Sequence, residues 1–332
     1  MTQPGISLGV SPRETVDRFV SVVRRADEAG VDACWVVDSQ LAMKDAYVAI
    51  AVAARETDRI QLGPGVTNVV TRHETVVANA MATLAELAPG RILAGIGVGD
   101  SAVFPIGGRP STIAESEGAL RRLRALMRGE AVPTPGGDVT LSFRPPAPPP
   151  IFFAASQPRT LRLAGAVADG VIVMGPSDPE TVAMQLALVD EGAASAGRHP
   201  EDVFRDLWVT IAVGDGAVDD VKSWASAQAR WLTTWKTVPA SLERFRPEMV
   251  AAAQQYDFGT HLSRRADHAA TISSELACAL AVAGPAEVCA ARIEALRAAG
   301  PDRITMTLLS GGRERRLDDI TDVWTRASAV DA

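Results

Sequence analysis

The chain has 332 residues, 47% of them hydrophobic, and a formal net charge of −7. Its acidic balance and the lack of a basic stripe exclude a nucleic-acid surface, which needs clustered positive charge. Its apolar runs, about 5 to 8 residues long, are too short to span a bilayer, and the amino terminus lacks the pattern of a signal peptide.

Strand-like and helix-like segments then alternate almost throughout. Residues 6–10 read as a strand, and 12–29 as a helix with Val16, Phe19, Val20 and Val23 on one face. Ser11 with Glu14 forms a candidate capping box, and Gly30 a C-cap. Strand 33–37, helix 45–56, strand 60–62, helix 74–87, strand 92–96 and helix 112–127 follow. Residues 129–150 break the rhythm with a small hairpin around Gly136-Gly137-Asp138 and a stiff proline-rich connector. The alternation resumes with strand 151–154, helix 158–168, strand 171–174, helix 179–196 and strand 207–213. A helical excursion over 218–275, carrying Trp224, Trp231 and Trp235, is too long for one barrel helix and is expected to cover the barrel mouth. Helix 285–298, strand 303–309 and a helix near 317–328 close the chain. Repeated βα units without a long reversing connection predict an α/β fold, a single-domain (β/α)8 TIM barrel over residues 1–332.

The segment from Ile60 to His73, Ile-Gln-Leu-Gly-Pro-Gly-Val-Thr-Asn-Val-Val-Thr-Arg-His, organises the rest. Gly63 and Gly65 permit dihedrals closed to other residues, and Pro64 fixes one more. The following helix would carry Val76, Val77, Ala80, Met81 and Leu84 on its apolar face. A loop of so little bulk at a strand's carboxyl end lets a flat ligand lie against main chain. From glycine and proline alone, an ordinary strand-to-helix turn reads equally well.

Gly-Pro-Gly-Val-Thr-Asn followed by Thr-Arg-His resembles the third-strand loop of the bacterial-luciferase-like barrel enzymes. Within them it is most similar to the coenzyme F-420-dependent methylenetetrahydromethanopterin reductases. Residues 84–91 leading into Ile92-Leu93-Ala94-Gly95-Ile96-Gly97-Val98-Gly99-Asp100 extend the resemblance, as do Ala154-Ala155-Ser156, Ala168-Asp169-Gly170-Val171 and the run from Val282 to Val288. The resemblance implies a deazaflavin coenzyme (F-420), or alternatively flavin mononucleotide (FMN), bound against the Gly65–Val66 loop. It implies a non-proline cis peptide between Gly65 and Val66, and a homodimer formed through early outer helices. It further implies that a carboxylate at Asp100 contacts the deazaflavin or takes part in proton transfer. Two departures stand out. Some sugar- and alcohol-oxidising relatives carry histidine after an acidic residue where this chain has Ser39 after Asp38. Several reductases carry glutamate where Gly9 and Val10 stand. Both argue against an alcohol dehydrogenase with an imidazole base.

Working residues of such barrels sit at the carboxyl ends of strands. Those ends are rich in glycine and small polar residues and poor in nucleophiles. No His, Asp, Glu or Cys cluster has ligand spacing, so no metal is expected. Cys34, Cys278 and Cys289 read as free thiols, which suits the cytoplasm. That pattern fits a site where a cofactor supplies the chemistry. Asp100, Asp38 and Ser39 are the catalytic candidates. Gly65, Val66, Thr67, Gly97, Gly99 and Asp100 are candidates for the ring system. Ser156, Gly175 and Ser177 lie before helices at 158 and 179, whose N-termini favour the cofactor phosphate. Gly95, Gly97 and Gly99 lack the G-x-G-x-x-G spacing and are equally read as tight strand packing. His73 is expected to start a helix and His199 to be solvated; His261 and His268 fall in the excursion. The three tryptophans there read more readily as core than as a ligand platform.

The function expected is hydride transfer to or from a C=C, C=N or C=O carbon of a small substrate. A flavin-dependent monooxygenase is the alternative, and a non-catalytic flavin-binding barrel a further one. Helix 45–56, with Ala46, Ile50, Ala51, Val52 and Ala53, is the expected dimer surface. Gly65→Ala is expected to depress cofactor affinity more than stability, the loop being taken as peripheral to the core.

Overall fold

The structure is a computed structural model that describes residues 2–236, 238–257, 267–309 and 311–329. Strand β1 (Gln3–Leu8) leads to α1 (Val16–Glu28), β2 (Ala33–Val36) to α2 (Ala46–Arg55), β3 (Gln61–Pro64) to α3 (Glu74–Leu87), and β4 (Ala94–Ile96) to α4 (Ile113–Met127). A small antiparallel hairpin, β5 (Val132–Thr134) and β6 (Gly137–Val139), interrupts the sequence. Then come β7 (Ile151–Ala155), α5 (Pro158–Val167), β8 (Gly170–Met174), α6 (Pro179–Ser195) and β9 (Phe204–Val213). The excursion contains α7 (Ala217–Leu232), α8 (Ala240–Glu243), α9 (Arg246–Gln254), α10 (Asp267–Ala270) and α11 (Ser274–Leu280). Strand β10 (Val282–Gly284), α12 (Ala286–Arg297), β11 (Arg303–Thr307) and α13 (Arg313–Ser328) complete the chain.

Parallel strands run in the order β3-β2-β1-β11-β9-β8-β7-β4, and bridges from Leu62 to Ile92 and from Thr67 to Ile96 join the ends. The result is a (β/α)8 barrel. Closure brings main chains very near. A Cβ on Gly63 would lie 2.3 Å from the Leu93 carbonyl oxygen, and one on Gly95 2.2 Å from that of Pro64. Both glycines are packing requirements of the seam.

Several boundaries differ from the sequence reading. Helix α1 starts at Val16 with Thr15 as its cap, not at Pro12 with Ser11, because Glu14 turns instead to the buried Arg313 of α13. Strand β10 was not anticipated. Pairing of β9 with β11 ends at Thr210, and β10 continues the ladder along Ile211 to Val213, so those backbone groups stay paired. On α3, Val76 faces outward, and Ala78, Ala82 and Ala85 join Val77, Met81 and Leu84 inside. On α2, Ala46, Ile50 and Ala53 are buried against the barrel, and Val48 and Val52 form the exposed face.

The barrel interior is layered. At the amino-terminal end, Asp206 and Arg303 form a buried ion pair. The Asp206 carboxylate accepts hydrogen bonds from Trp35 Nε1 at 2.8 Å, Thr305 Oγ1 at 2.6 Å and Arg303 Nη1 at 3.2 Å. Burial pushes this carboxyl up, against the pull of Arg303 and the two neutral donors. Arg303 also donates to Asp32 and Gln61. Above lies an apolar layer of Trp35, Leu93, Phe152 and Ile172, with Trp35 and Phe152 meeting edge to face at 5.3 Å. Helices α7, α8, α9 and α11 form a separate core around Val221, Leu242, Phe245, Met249 and Leu276. Among the described residues no helix is long and apolar enough to cross a membrane.

Candidate functional site

A cavity of about 380 Å³ opens above the apolar layer, at the carboxyl ends of the strands. Loops after β2, β3, β4, β7 and β8 form its walls, Trp208 of β9 its lower side, and α7 its roof. Gly65 and Val66 lie on the wall, joined by a cis peptide bond. Thr67 is fully buried, donating its N–H to the Gly95 carbonyl at 2.9 Å and accepting from the Gly97 N–H at 2.8 Å. Beside it the β3 and β4 loops interlock, for a Cβ on Gly97 would lie 2.6 Å from Val66 Cγ2. Gly99 has φ of +85°, open to few other residues.

Three wall segments are tied together by polar contacts. Asp38 is paired at 2.6 Å with Arg72, the arginine of the Thr-Arg-His motif. Arg72 also holds Asp45, the N-cap of α2, and lies over the Tyr47 ring. Burial works against its charge, but Asp38 and Asp45 hold its pKa above the ordinary value. Tyr47 donates to Thr67 Oγ1 at 2.9 Å, and burial pushes its phenol up to about 12. Ser39 and Ser101 share a hydrogen bond of 2.8 Å, and Gln40 Nε2 donates to the Ala102 carbonyl. Asn68 Oδ1 caps the turn through Val70 and Thr71. His73 is the N-cap of α3.

Asp100 carries the tie to the roof. Its Oδ2 accepts from Arg230 Nη2 at 2.6 Å and from Trp231 Nε1 at 3.2 Å, both on α7. Its Oδ1 is buried and has no partner among the described residues. The carboxylate therefore does not cap the turn at 101–104, where only its carbonyl accepts, from Val103 and Phe104.

Asp38, Ser39, Gly65, Val66, Thr67, Gly97, Gly99, Asp100, Ser156 and Gly175 all line this one cavity. Ser177 does not. Its loop turns away, and it lines a second cavity beside Asp178 and Arg292, with its N–H on the Leu280 carbonyl. Gly9 also lies outside the site, since a Cβ there would meet the Met43 sulfur at 2.8 Å. His261 and the side chain of His268 lie outside the described residues, as does Ser310. Trp224 and Trp231 line the cavity, whereas Trp235 is buried among the helices of the excursion. Sequence reasoning missed Trp208, Thr210, Gln228 and Arg230. Alternation along β9, with Asp206, Trp208 and Thr210 on one face, was the available signal for two of them. Among the described residues no group of three or more His, Cys, Asp and Glu could hold a metal ion.

A model of the luciferase-like monooxygenase family matches residues 1–303. The chain belongs to that family. Membership makes it an oxidoreductase of the luciferase-like type. It is 32% identical over 203 residues to the 5,10-methylenetetrahydromethanopterin reductase of Methanolobus tindarius, an alignment spanning 58% of this chain and 60% of that protein. It is 32% identical over 239 residues to the F420-dependent glucose-6-phosphate dehydrogenase of Intrasporangium calvum, spanning 64% of this chain and 70% of that protein. Its fold matches the F420-dependent secondary alcohol dehydrogenase solved with an F420-acetone adduct, with TM-score 0.80 and 20% identity, over 98% of this chain and 99% of that one.

Proposed function

We propose that this luciferase-like barrel binds the deazaflavin coenzyme F-420 in the 380 Å³ cavity and transfers hydride between it and an electrophilic C=C, C=N or C=O carbon of a small substrate. The observation that carries the reading is Asp100, a carboxylate with one buried oxygen left unpartnered on the wall of a glycine-lined cavity. A buried acceptor of this kind is costly unless a ligand completes it. The site fits the coenzyme in two further ways. Gly65, Gly97 and Gly99 keep the bulk of one wall low, which suits a flat ring system. Ser156 and Gly175 sit just before α5 and α6, where helix N-termini favour a phosphate. The relatives named as F420-dependent support the same choice.

Reduced, such a coenzyme supplies two electrons and a proton as hydride. Residues of this chain do the rest. Arg230 and Trp231 fix Oδ2 of Asp100, which leaves Oδ1 to accept a donor of the ligand or to pass the proton that completes reduction of the substrate. Arg72 and Asp38 tie the second wall together, and α7 roofs part of the mouth. Free cysteines suit a reducing cytoplasm.

Titration of the purified protein with F-420 and, separately, with FMN is the direct test. Micromolar or tighter binding of F-420 with weaker FMN binding is expected; tight FMN binding without F-420 binding would sink the reading. Asp100→Asn keeps the side chain's size but removes its charge, and is expected to lower kcat by about 10²–10⁴-fold in the reconstituted enzyme. An unchanged kcat would take proton work away from Asp100.

The chain is also proposed to form a homodimer through α2 and α3, whose outer faces expose Val48, Val52 and Val76. Light scattering at micromolar concentration should give twice 34.9 kDa. A mass near one chain would refute this.

A further inference from the structure

The roof of the cavity holds a side chain that the hydride-transfer reading leaves without a task. Gln228 on α7 is 8% exposed and lines the cavity. Its Oε1 is buried with no partner, and among the described residues its amide nitrogen donates to nothing. A buried acceptor left without a donor is rare in folded proteins, because it costs the desolvation that a hydrogen bond would offset. The group presents N–H donors at one end and an acceptor oxygen at the other.

Its neighbours narrow what could meet it. Trp224 and Trp231 stand four residues before and three after it, on the same face of α7, and both line the cavity. Trp231 is fixed by its bond to Asp100. The roof is thus a pair of indoles flanking an amide. The charged groups on the cavity wall are already engaged, Asp38 with Arg72 and Asp100 with Arg230. Among the described residues the roof beside Gln228 therefore offers no unengaged cation to a carboxylate.

We infer that Gln228 determines substrate specificity, reading an amide-type edge (adjacent N–H and C=O, as in a lactam, imide or carboxamide) on a flat, uncharged molecule held against Trp224 and Trp231. The inference deepens the reading above by naming a substrate class for the same site. Paired hydrogen bonds to such an edge supply the buried oxygen with a donor and the amide nitrogen with an acceptor, and the indoles cover the ring faces. A bare hydrocarbon ring of equal size leaves the amide unpaired. A carboxylate brings a charge that the roof does not neutralise.

The probes are 2-quinolone, naphthalene and quinoline-2-carboxylate, titrated by tryptophan fluorescence into the full-length protein without coenzyme. In a second arm, F-420 is titrated into the same proteins. The wild-type protein is expected to bind 2-quinolone roughly ten-fold more tightly than either other probe. Gln228→Leu should abolish that preference while keeping F-420 affinity and melting temperature within error. Trp224→Ala should weaken quinolone and naphthalene alike, by a few-fold each, and leave the preference in place. No preference in the wild type, or one that survives Gln228→Leu, overturns the inference. So does a Gln228→Leu protein that loses F-420 affinity together with the preference, since the amide would then read the coenzyme. Failure of the wild type to bind F-420 would strike only the proposed function, because probe selectivity is read without it.

Discussion

Replacing Gly65 with alanine is expected to destabilise the protein as well as weaken coenzyme binding. A Cβ at this position would lie 2.7 Å from Trp35 Cβ and 2.8 Å from the Trp208 ring. Trp35 is fully buried, belongs to the apolar layer of the barrel and is bonded to Asp206 below, so it has little room to move. Overpacking of a tight core costs about 1–3 kcal/mol. For a chain of this size that corresponds to a fall in melting temperature of several degrees, at roughly 2–4 °C per kcal/mol. The loop is thus not peripheral, as the glycines and proline alone suggested. Its main chain rests on the two tryptophans that fill the barrel. Differential scanning calorimetry and an F-420 titration on the same variant check the point. A variant with unchanged melting temperature and reduced affinity would restore the peripheral reading.

Arg303→Leu is expected to have the largest effect on stability. It strips the guanidinium from Asp206, which is 0% exposed, and also removes the bonds to Asp32 and Gln61. Breaking a buried pair by removing one partner costs about 3–5 kcal/mol, because an uncompensated charge stays behind. The pH dependence gives the mechanism away. Burial already raises the Asp206 carboxyl, and loss of Arg303 removes the main charge opposing that rise. A carboxyl whose folded pKa lies above its unfolded value imposes its penalty above the folded pKa, and the penalty fades as pH falls through it. Denaturant melts at pH 7 and pH 5 should therefore show a smaller deficit at pH 5. Adding Asp206→Asn should recover part of the loss at pH 7. A deficit that is equal at both pH values and unaffected by the second change would mean lost packing rather than a stranded charge.

Both results turn on contacts the linear chain does not display. Local pattern carried the architecture. Short apolar strands alternating with amphipathic helices were enough for eight βα units, the hairpin at Val132–Val139 and the helical excursion. The glycine-rich strand ends were legible too, and they marked the wall of one cavity from Asp38 to Gly175. Ser177, two residues beyond Gly175, turned to a different cavity, because a loop's exit direction follows from what it packs on. The same holds for helix faces. Val76 reads as apolar like Val77, yet only one of them meets the barrel.

What tertiary structure alone decided is the pairing of charges and the identity of the roof. Arg72 meets Asp38 across 34 positions, Arg303 meets Asp206 across 97 and Arg230 meets Asp100 across 130. Arg72 stands in the Thr-Arg-His motif, but nothing in the residues flanking Arg230 and Arg303 marks them off from the other arginines of the chain. A side chain's period in its own helix or strand reports whether it faces in or out. It carries no record of which distant segment waits there, since closing a barrel brings strand ends together whatever their separation in sequence. Gln228 lay unnoticed between two tryptophans for that reason, as an ordinary helical glutamine until α7 was laid over Asp100.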